Sequence, residues 1–367
     1  MEFFENGSKT KEGKISVLNL YGTWREMGRQ YGALMADELA DIYKNAVCDV
    51  LLTDETKKAN GTETAEKLFA NYPYRFKQIL VGMSETSGLG LSELKLVNAM
   101  EVIASVLLYK HQMCSGIAAW GDYAESSLVY GRNYDYLTWF KKFADDLVVS
   151  VFHPADLSLA SATVGYAGEI YAANGMNEKG IFIELNNGFP SGGALWYDSR
   201  IPAVVKLFEF LFDCESLDEI EAAFQTTRAN FAYIAGVADT QTARCFEWPT
   251  FDVKRRITRS RPGLTVLTNH FTEFSWGLPR PEDSSFYMTR SRRQNLLNLA
   301  KHFKGTINEK VMMNIMDTRY ENLGATTDMT LYQIVAVPEK SAIWIKLPQY
   351  QEWTYIDLGR LFSGRKE

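Results

Sequence analysis

The sequence predicts an α+β fold in which two antiparallel sheets pack face to face and helices cover both outer faces. One observation is the order of segments along the 367 residues: a mostly helical region comes first, then strands, two helices, strands, helices and strands. A second is that the strands after residue 114 are short and joined by turns, which is typical of antiparallel pairing. The simplest interpretation is a four-layer sandwich that carries a helical N-terminal segment.

The N-terminal region begins with a strand and continues as helices. Residues 14–22 largely alternate polar and apolar side chains, as a half-buried strand does. A helical pattern follows from about residue 25 to residue 51. Within it Gly28 and Gly32 lie one turn apart, so they leave one helix face bare for close packing. Further helices are predicted over residues 63–70, 75–85 and, after Ser92 as N-cap, up to residue 106.

From residue 114 the pattern changes to short apolar runs separated by turns. Strands are predicted at residues 116–120, 128–135, 147–152, 158–164, 170–173 and 181–185. Residues 201–227 predict a helical block that is split near Ser216, a good N-cap. The remaining predicted elements are strands at 232–238, 245–248 and 264–268, helices at 285–303 and 309–316, and a hairpin of 331–338 with 342–347.

Composition and charge exclude several classes of protein. The chain is 46% hydrophobic and 13% aromatic, enough for a globular core, and its net charge of −6 argues against a nucleic-acid partner. It has no apolar stretch long enough to span a membrane and no signal peptide at its start, so we expect a soluble protein, either cytoplasmic or exported with its signal removed. The four cysteines are too widely spaced for a disulfide framework or a zinc site, and we expect neither a cofactor nor a metal. The oligomeric state is open, and a homo-oligomer is compatible with the sequence.

Cys114 is the strongest candidate for a catalytic residue. It opens an apolar strand, and a second strand brings back Arg132 and Asp135 beside it. A cysteine reacts as a thiolate, and an ordinary thiol pKa of about 8.5 leaves it mostly protonated at neutral pH, so a base is needed. If the chain is cleaved before Cys114, the freed α-amine, with an ordinary pKa of about 7.7–8.0, is a base on the same residue.

Histidine is the usual base in a cysteine enzyme, and only one of the four histidines competes with the α-amine. His111 precedes the cleavage point, whereas His153 and His302 lie beside Pro154 and Lys301 at element ends. His270 follows a predicted strand and gives the main alternative, an uncleaved hydrolase with a Cys114–His270 pair. A second alternative is a non-catalytic binding protein that keeps the same fold.

Cys114, the strand after it and the run Gly131-Arg132-Asn133-Tyr134-Asp135 resemble the N-terminal-nucleophile (Ntn) hydrolases of the penicillin acyltransferase, or C45 peptidase-like, group. Choloylglycine hydrolase and penicillin V acylase are relatives of that group. Upstream, residues 22–32 resemble the start of the group's N-terminal segment. Segments that resemble its later motifs follow in the right order at residues 174–180, 185–186, 267–269 and 284–293. The resemblance covers most of the chain and implies an αββα Ntn-hydrolase sandwich. It also implies self-cleavage into a pro-segment, residues 1–113, and a nucleophile-bearing chain, residues 114–367.

The resemblance also implies a role for each matching residue. Cys114 matches the nucleophile and, through its freed amine, the base, while Arg132 and Asp135 match the positions that flank the thiol and the amine. Asn186, through its backbone N–H, and Asn269, through its side-chain amide, match the donors to the oxyanion.

Arg290 matches the late arginine of the group, although Arg292 and Arg293 are close enough to leave the register open. Met113 departs from the small residue that eases self-cleavage. The expected substrate is a small linear amide with an apolar acyl group. The amide is hydrolysed, or its acyl group is transferred to another amine.

Overall fold

Two β-sheets lie face to face at the centre of the molecule, and helices cover both outer faces. The structure, a computed structural model, describes residues 1–108, 113–191, 196–257, 260–282 and 287–364, with the backbone alone at 105–108. The sheets contain ten and six strands. The predicted four-layer αββα arrangement is confirmed.

The larger sheet joins the N-terminal segment to the rest of the chain. Its strands, in spatial order, are β1 (Glu2–Phe4), β2 (Gly7–Glu12), β3 (Ile15–Gly22), β6 (Leu147–Pro154), β7 (Ser161–Tyr166), β8 (Asn174–Asn177), β9 (Phe182–Asn187), β10 (Tyr233–Ala238), β11 (Ala243–Trp248) and β12 (Lys254–Arg255). The prediction of wholly antiparallel sheets is wrong at one pair, because β3 and β6 run parallel. The long connection between these strands makes a parallel crossover possible.

The smaller sheet carries the start of the predicted nucleophile chain. Its strands, in spatial order, are β13 (Leu264–Leu267), β4 (Met113–Ala119), β5 (Val129–Asp135), β14 (Thr330–Val337), β15 (Ala342–Leu347) and β16 (Gln351–Asp357). All its pairs are antiparallel.

Five helices follow β3 in the N-terminal segment. They are α1 (Trp24–Leu34), α2 (Ala36–Ile42), which continues as the π-helical turn Tyr43–Leu51, α3 (Glu55–Asn71), α4 (Tyr74–Thr86) and α5 (Leu91–Leu108). Thr23 and Glu26 form a capping box at the start of α1. The long helix predicted over 25–51 is interrupted at Met35, where φ is −119°.

Glycines allow α1 and α4 to pack in close contact. A Cβ at Gly28 would lie 2.2 Å from the Ile79 carbonyl oxygen, and one at Gly82 would lie 2.1 Å from that of Arg25. The bare helix face predicted at Gly28 and Gly32 is therefore confirmed as a packing face.

The later helices form the outer layers. They are α6 (Ala203–Asp213), α7 (Leu217–Thr226), α8 (Thr289–His302), α9 (Glu309–Asp317) and α10 (Leu358–Phe362). Helix α6 contacts β8 and β9 of the larger sheet, whereas α8 and α9 cover the smaller sheet. Ser216 caps α7 as predicted, by accepting a hydrogen bond from the N–H of Glu219. No helix in the described ranges is both long and apolar enough to cross a bilayer.

Some predicted elements differ from the structure. The apolar run 170–173 is buried but irregular, because the Ala172 N–H donates to Val204 instead of joining a ladder. Of the motif over residues 284–293, Ser284 and Ser285 lie outside the described residues, and so does His111. The predicted helix 285–303 is observed from Thr289.

Candidate active site

Cys114 is the second residue of β4, which lies between β13 and β5 in the smaller sheet. The residue is only 6% exposed. The sulfur Sγ lies 3.8 Å from the Asp135 carbonyl oxygen and 3.8 Å from Nη2 of Arg132. The peptide N–H of Cys114 donates to Oδ1 of Asn269 at 3.1 Å, and its carbonyl oxygen accepts from Nη1 of Arg292 at 3.0 Å. Four polar residues from three parts of the chain therefore surround this cysteine.

Arg132 links the two sheets beneath the sulfur. From β5 its Nη1 donates to Oε2 of Glu184 at 2.8 Å and to Oδ1 of Asn186 at 2.9 Å, while Nη2 donates to the Leu185 carbonyl oxygen at 2.9 Å. Burial opposes the charge of Arg132, but the Glu184 carboxylate holds the pKa of the guanidinium above its ordinary value. The group stays cationic beside the thiol.

The carboxyl group of Asp135 is buried, and only one of its two oxygens accepts a hydrogen bond among the described atoms. Its Oδ1 accepts a hydrogen bond from the Thr330 hydroxyl at 2.6 Å, and Oδ2 lies 3.7 Å from Nη1 of Arg292. Oδ2 has no hydrogen-bond partner among the described atoms. Burial raises the pKa of Asp135 to about 6, although the charges of Arg292 and Arg132 oppose this rise.

Of the three arginines that leave the register open, Arg292 is the one that contacts Cys114. Arg292 is fully buried, and its Nη2 donates to Oδ1 of Asn269 at 2.7 Å. Arg290 is exposed, and Arg293 donates to the Val266 carbonyl oxygen at 3.4 Å. Arg292 differs from its two neighbours because buried residues recur every three to four positions along α8, and position 292 is one of them. This helical spacing can be recognised in the sequence.

The two predicted oxyanion asparagines lie close to Cys114, but their side chains are already engaged. The Asn186 amide accepts from Arg132 and donates to the Thr268 carbonyl oxygen at 3.5 Å. Nδ2 of Asn269 donates to the Asn187 carbonyl oxygen at 2.8 Å. Asn187, which sequence reasoning missed, lines the pocket beside Cys114. Because neighbouring strand residues face opposite ways, only one of the two asparagines can face the pocket.

His270 is poorly suited to act as a base for Cys114. Its Nδ1 lies 2.9 Å from the Thr289 hydroxyl and 3.2 Å from that of Thr268, and none of the described hydrogen bonds joins it to Cys114. Burial, reinforced by Arg256 and other arginines, lowers the pKa of His270 to about 3. A ring this weakly basic accepts a proton from a thiol only with difficulty at neutral pH.

The thiol itself is held protonated in the intact chain. Burial raises the pKa of Cys114 to about 12, and the nearby Arg132 opposes this rise only in part. A thiol in this state is a poor nucleophile at neutral pH. Repeated attack on substrate molecules at neutral pH therefore needs a further base close to the sulfur.

A pocket opens beside Cys114 between the N-terminal segment and the two sheets. It is lined mostly by apolar and aromatic side chains together with one acidic residue of α5. Its walls, apart from Cys114, Asp135 and Asn187, are Glu101, Val102, Tyr134, Tyr136, Ala173, Leu185, Trp196, Val204 and Tyr233. A largely apolar lining with a few polar groups is typical of small-molecule sites.

The chain is similar to known proteins in both sequence and fold. The family model of acyl-coenzyme A:6-aminopenicillanic acid acyl-transferase matches residues 123–352, which include Arg132, Asp135, Asn269 and Arg292 but not Cys114. No curated protein matches the chain.

Among solved structures, the Caenorhabditis elegans ortholog of N-acylethanolamine-hydrolyzing acid amidase is 17% identical, with a TM-score of 0.48 over 66% of this chain and 99% of that one. A mutant of conjugated bile acid hydrolase from Clostridium perfringens is 14% identical, with a TM-score of 0.46 over 67% and 93%. Penicillin V acylase from Agrobacterium tumefaciens is 12% identical, with a TM-score of 0.45 over 67% and 86%. Since its family model matches more than half of the sequence, the chain belongs to the acyl-coenzyme A:6-aminopenicillanic acid acyl-transferase family.

Proposed function

We propose that the protein is a self-processing cysteine Ntn enzyme that cleaves a linear amide through a thioester on Cys114. The observation that carries the proposal is the set of contacts on one residue. Arg132 and Asp135 contact the sulfur of Cys114, Asn269 accepts from its nitrogen and Arg292 donates to its carbonyl oxygen. These contacts support the proposal because they hold in place the sulfur and the nitrogen that we assign as nucleophile and base.

Self-cleavage begins with attack of the Cys114 sulfur on the Met113 carbonyl carbon. The C–N bond between these residues breaks, the nitrogen gains the proton that the thiol loses, and a thioester forms. Water then hydrolyses the thioester, so that Met113 ends in a carboxylate and Cys114 has a free amine. Asn269 and Arg292 hold the Cys114 backbone on both sides of its Cα, which keeps its sulfur oriented during the attack.

After cleavage the free amine supplies the missing base. It takes the proton of the thiol, the thiolate attacks the substrate carbonyl, and the amine returns the proton to the leaving nitrogen. We assign Asp135 to hold the charged amine through Oδ2, which has no hydrogen-bond partner among the described atoms, and the fixed charge of Arg132 favours the thiolate. The Asn269 amide and a backbone N–H at Asn186 or Asn187 are the candidate oxyanion donors.

The acyl group leaves the thioester by one of two reactions. Water gives hydrolysis, and an amine held in the pocket gives acyl transfer. The largely apolar wall formed by residues such as Leu185, Trp196 and Val204 suits an apolar or aromatic acyl group. The family description, an acyl-transferase, supports the second reaction.

Intact-mass measurement of the purified protein tests this proposal. We expect fragments of 113 and 254 residues (367 − 113) from the wild type and a single chain from Cys114→Ala. Cys214→Ala, at another buried free cysteine, is the matched control and should still be cleaved. A thiol-reactive acyl analogue should then label Cys114 of the larger fragment. An active enzyme that stays one chain at every pH, with Cys114 unlabelled, contradicts the proposal.

A further inference from the structure

A second pocket lies outside the site of Cys114, where the segment before α6 meets the end of α7. It is open to the surface and has a volume of about 230 Å³. Its charged lining residues, among those that the structure describes, are all positive. The lining consists of Arg200, Ile201, Lys206, Thr226, Thr227 and Arg228. A cleft lined by one sign of charge attracts ligands of the opposite sign, so this pocket suits an anion.

Arg200 is held in position by contacts that leave its charge unpaired. Its Nη1 donates to the carbonyl oxygen of Ala229 at 2.7 Å and to that of Thr250 at 2.6 Å. The guanidinium also lies over the ring of Tyr197, with its central carbon 3.9 Å from the ring centroid. The described hydrogen bonds of this side chain use Nη1 alone, so Nε and Nη2 are available to a ligand. A donor that is already oriented loses less entropy when a ligand binds.

Arg228 brings a second unpaired charge to the pocket. The residue is exposed, and within the described ranges no ion pair, hydrogen bond or ring contact involves its side chain. Lys206 contributes less, because its Nζ lies 2.7 Å from Oε2 of Glu209. The hydroxyl groups of Thr226 and Thr227 donate to carbonyl oxygens of α7 and add no donor. A ligand therefore meets the charges of two arginines and a share of one lysine.

We propose that this pocket, the Arg200 pocket, binds a phosphate group. An arginine fork matches the oxygens of carboxylate and phosphate groups alike, so charge must select between them. Two unpaired guanidinium groups favour a phosphate, which carries close to two negative charges at neutral pH, over a carboxylate with one. The phosphate enters from the open side of the pocket, either as the free ion or as the end of a larger molecule.

Calorimetric titration of the whole protein tests the proposal, at an ionic strength held constant with sodium chloride. The probes are inorganic phosphate, phenyl phosphate and acetate. We expect phosphate to saturate one site and acetate to bind at least about tenfold more weakly, because it carries less charge. Arg228→Gln should weaken phosphate binding by about tenfold, since it removes a charge-assisted hydrogen bond. No described contact of the fold is lost in this variant, so it should fold normally.

Two further variants give a gain and a control. Glu209→Gln should strengthen phosphate binding by about threefold, because it releases the ammonium group of Lys206 from an ion pair. Tighter binding is not a result that misfolding produces. Arg75, the other cation near Glu209, keeps its ion pair with Asp213. Arg280→Gln removes an exposed arginine outside the pocket and should leave the Kd of phosphate unchanged.

The affinities decide between the outcomes. Phenyl phosphate that binds as tightly as phosphate, or more tightly, indicates the phosphate end of a larger molecule, whereas a preference for phosphate indicates the free ion. Both results support the Arg200 pocket. Equal phosphate binding by the wild type and Arg228→Gln overturns the proposal, and so does acetate that binds as tightly as phosphate, or a lack of saturable binding. The proposed cleavage through Cys114 is independent of all these results, because it uses no group of this pocket.

Discussion

Nη1 of Arg132 lies 2.8 Å from Oε2 of Glu184, and both side chains are fully buried between the two sheets. Glu184 also accepts a hydrogen bond from the Tyr130 hydroxyl at 3.0 Å. The carboxylate fits there because residue 116 is a glycine, where a Cβ would lie 1.9 Å from Oε1 of Glu184. This ion pair orients the guanidinium that contacts the sulfur of Cys114, so it couples the packing of the sheets to the geometry of the site.

We expect Glu184→Gln to destabilise the protein strongly. Removing one partner of a buried ion pair leaves the other charge uncompensated, which costs about 3–5 kcal/mol. The measurement is the free energy of unfolding in denaturant, made in the Cys114→Ala background so that all samples are single chains.

The matched control is an ion pair at the surface. Asp328 lies 2.9 Å from Nη2 of Arg319, and both side chains are largely exposed. Asp328→Asn should therefore cost less than about 1 kcal/mol. Equal losses in the two variants would show that the Arg132–Glu184 pair contributes no more than an exposed one.

A second prediction separates the neighbouring arginines of α8. Arg292→Gln should slow cleavage before Cys114 by about a hundredfold or more, because it removes the donor that positions the Cys114 carbonyl group and Asn269. Arg290→Gln, at an exposed position, should be cleaved at nearly the wild-type rate. The check is a mass-spectrometric time course after denaturant-free purification of each variant. Similar rates for both variants would contradict the assignment of Arg292.

Much of the fold could be predicted because its central elements carry strong patterns. The strands β4, β5 and β14 are completely buried, and the sequence predicts all three, although β5 carries Arg132 and Asp135 beside its apolar residues. The edge strand β16 escapes prediction because most of its side chains are partly exposed and show no apolar alternation. The parallel pairing of β3 with β6 depends on contacts between distant segments, which local patterns do not report.

The site was predictable where function fixes residue types at short spacing. Cys114, Arg132 and Asp135 lie on paired strands, and the structure brings them together as the motif predicts. Glu184 and Glu101 escape prediction for a physical reason, since a single carboxyl group in an apolar run or helix looks like an ordinary surface residue. What these two side chains contact becomes visible only when the sheets pack together, with Glu184 of β9 facing Arg132 of β5, and when α5 lies beside the pocket.

The third prediction concerns the pH dependence of cleavage. Because burial raises the pKa of Asp135 to about 6, its carboxyl group is neutral below that pH and ionised above it. If the ionised form holds the nitrogen as it gains a proton, the rate of cleavage should rise with pH, with half of the rise reached near pH 6. A series of pH-jump experiments on freshly refolded protein, followed by intact mass, measures this profile.

Two variants identify the titrating group. Asp135→Asn should be cleaved slowly and lose the step near pH 6, whereas His270→Gln should keep it, since the pKa of His270 is lowered to about 3. A step that disappears in His270→Gln and persists in Asp135→Asn would restore the Cys114–His270 alternative.

The fourth prediction is that the two fragments stay together after cleavage. The N-terminal fragment supplies β1, β2 and β3 to the larger sheet, where β3 pairs with β6 from Ser16 opposite Val148 to Gly22 opposite Pro154. It also supplies Glu101 and Val102 to the wall of the pocket. Separating the fragments would expose both the backbone of β6 and the apolar core beneath it, which is unfavourable. Cleavage of one peptide bond removes none of these contacts. We expect both fragments in one peak in native size-exclusion chromatography and separate peaks only in denaturant, with residues 114–367 insoluble when expressed alone. A soluble, active fragment 114–367 would mean that the N-terminal segment is a dispensable pro-peptide, and that Glu101 has no part in the mature site.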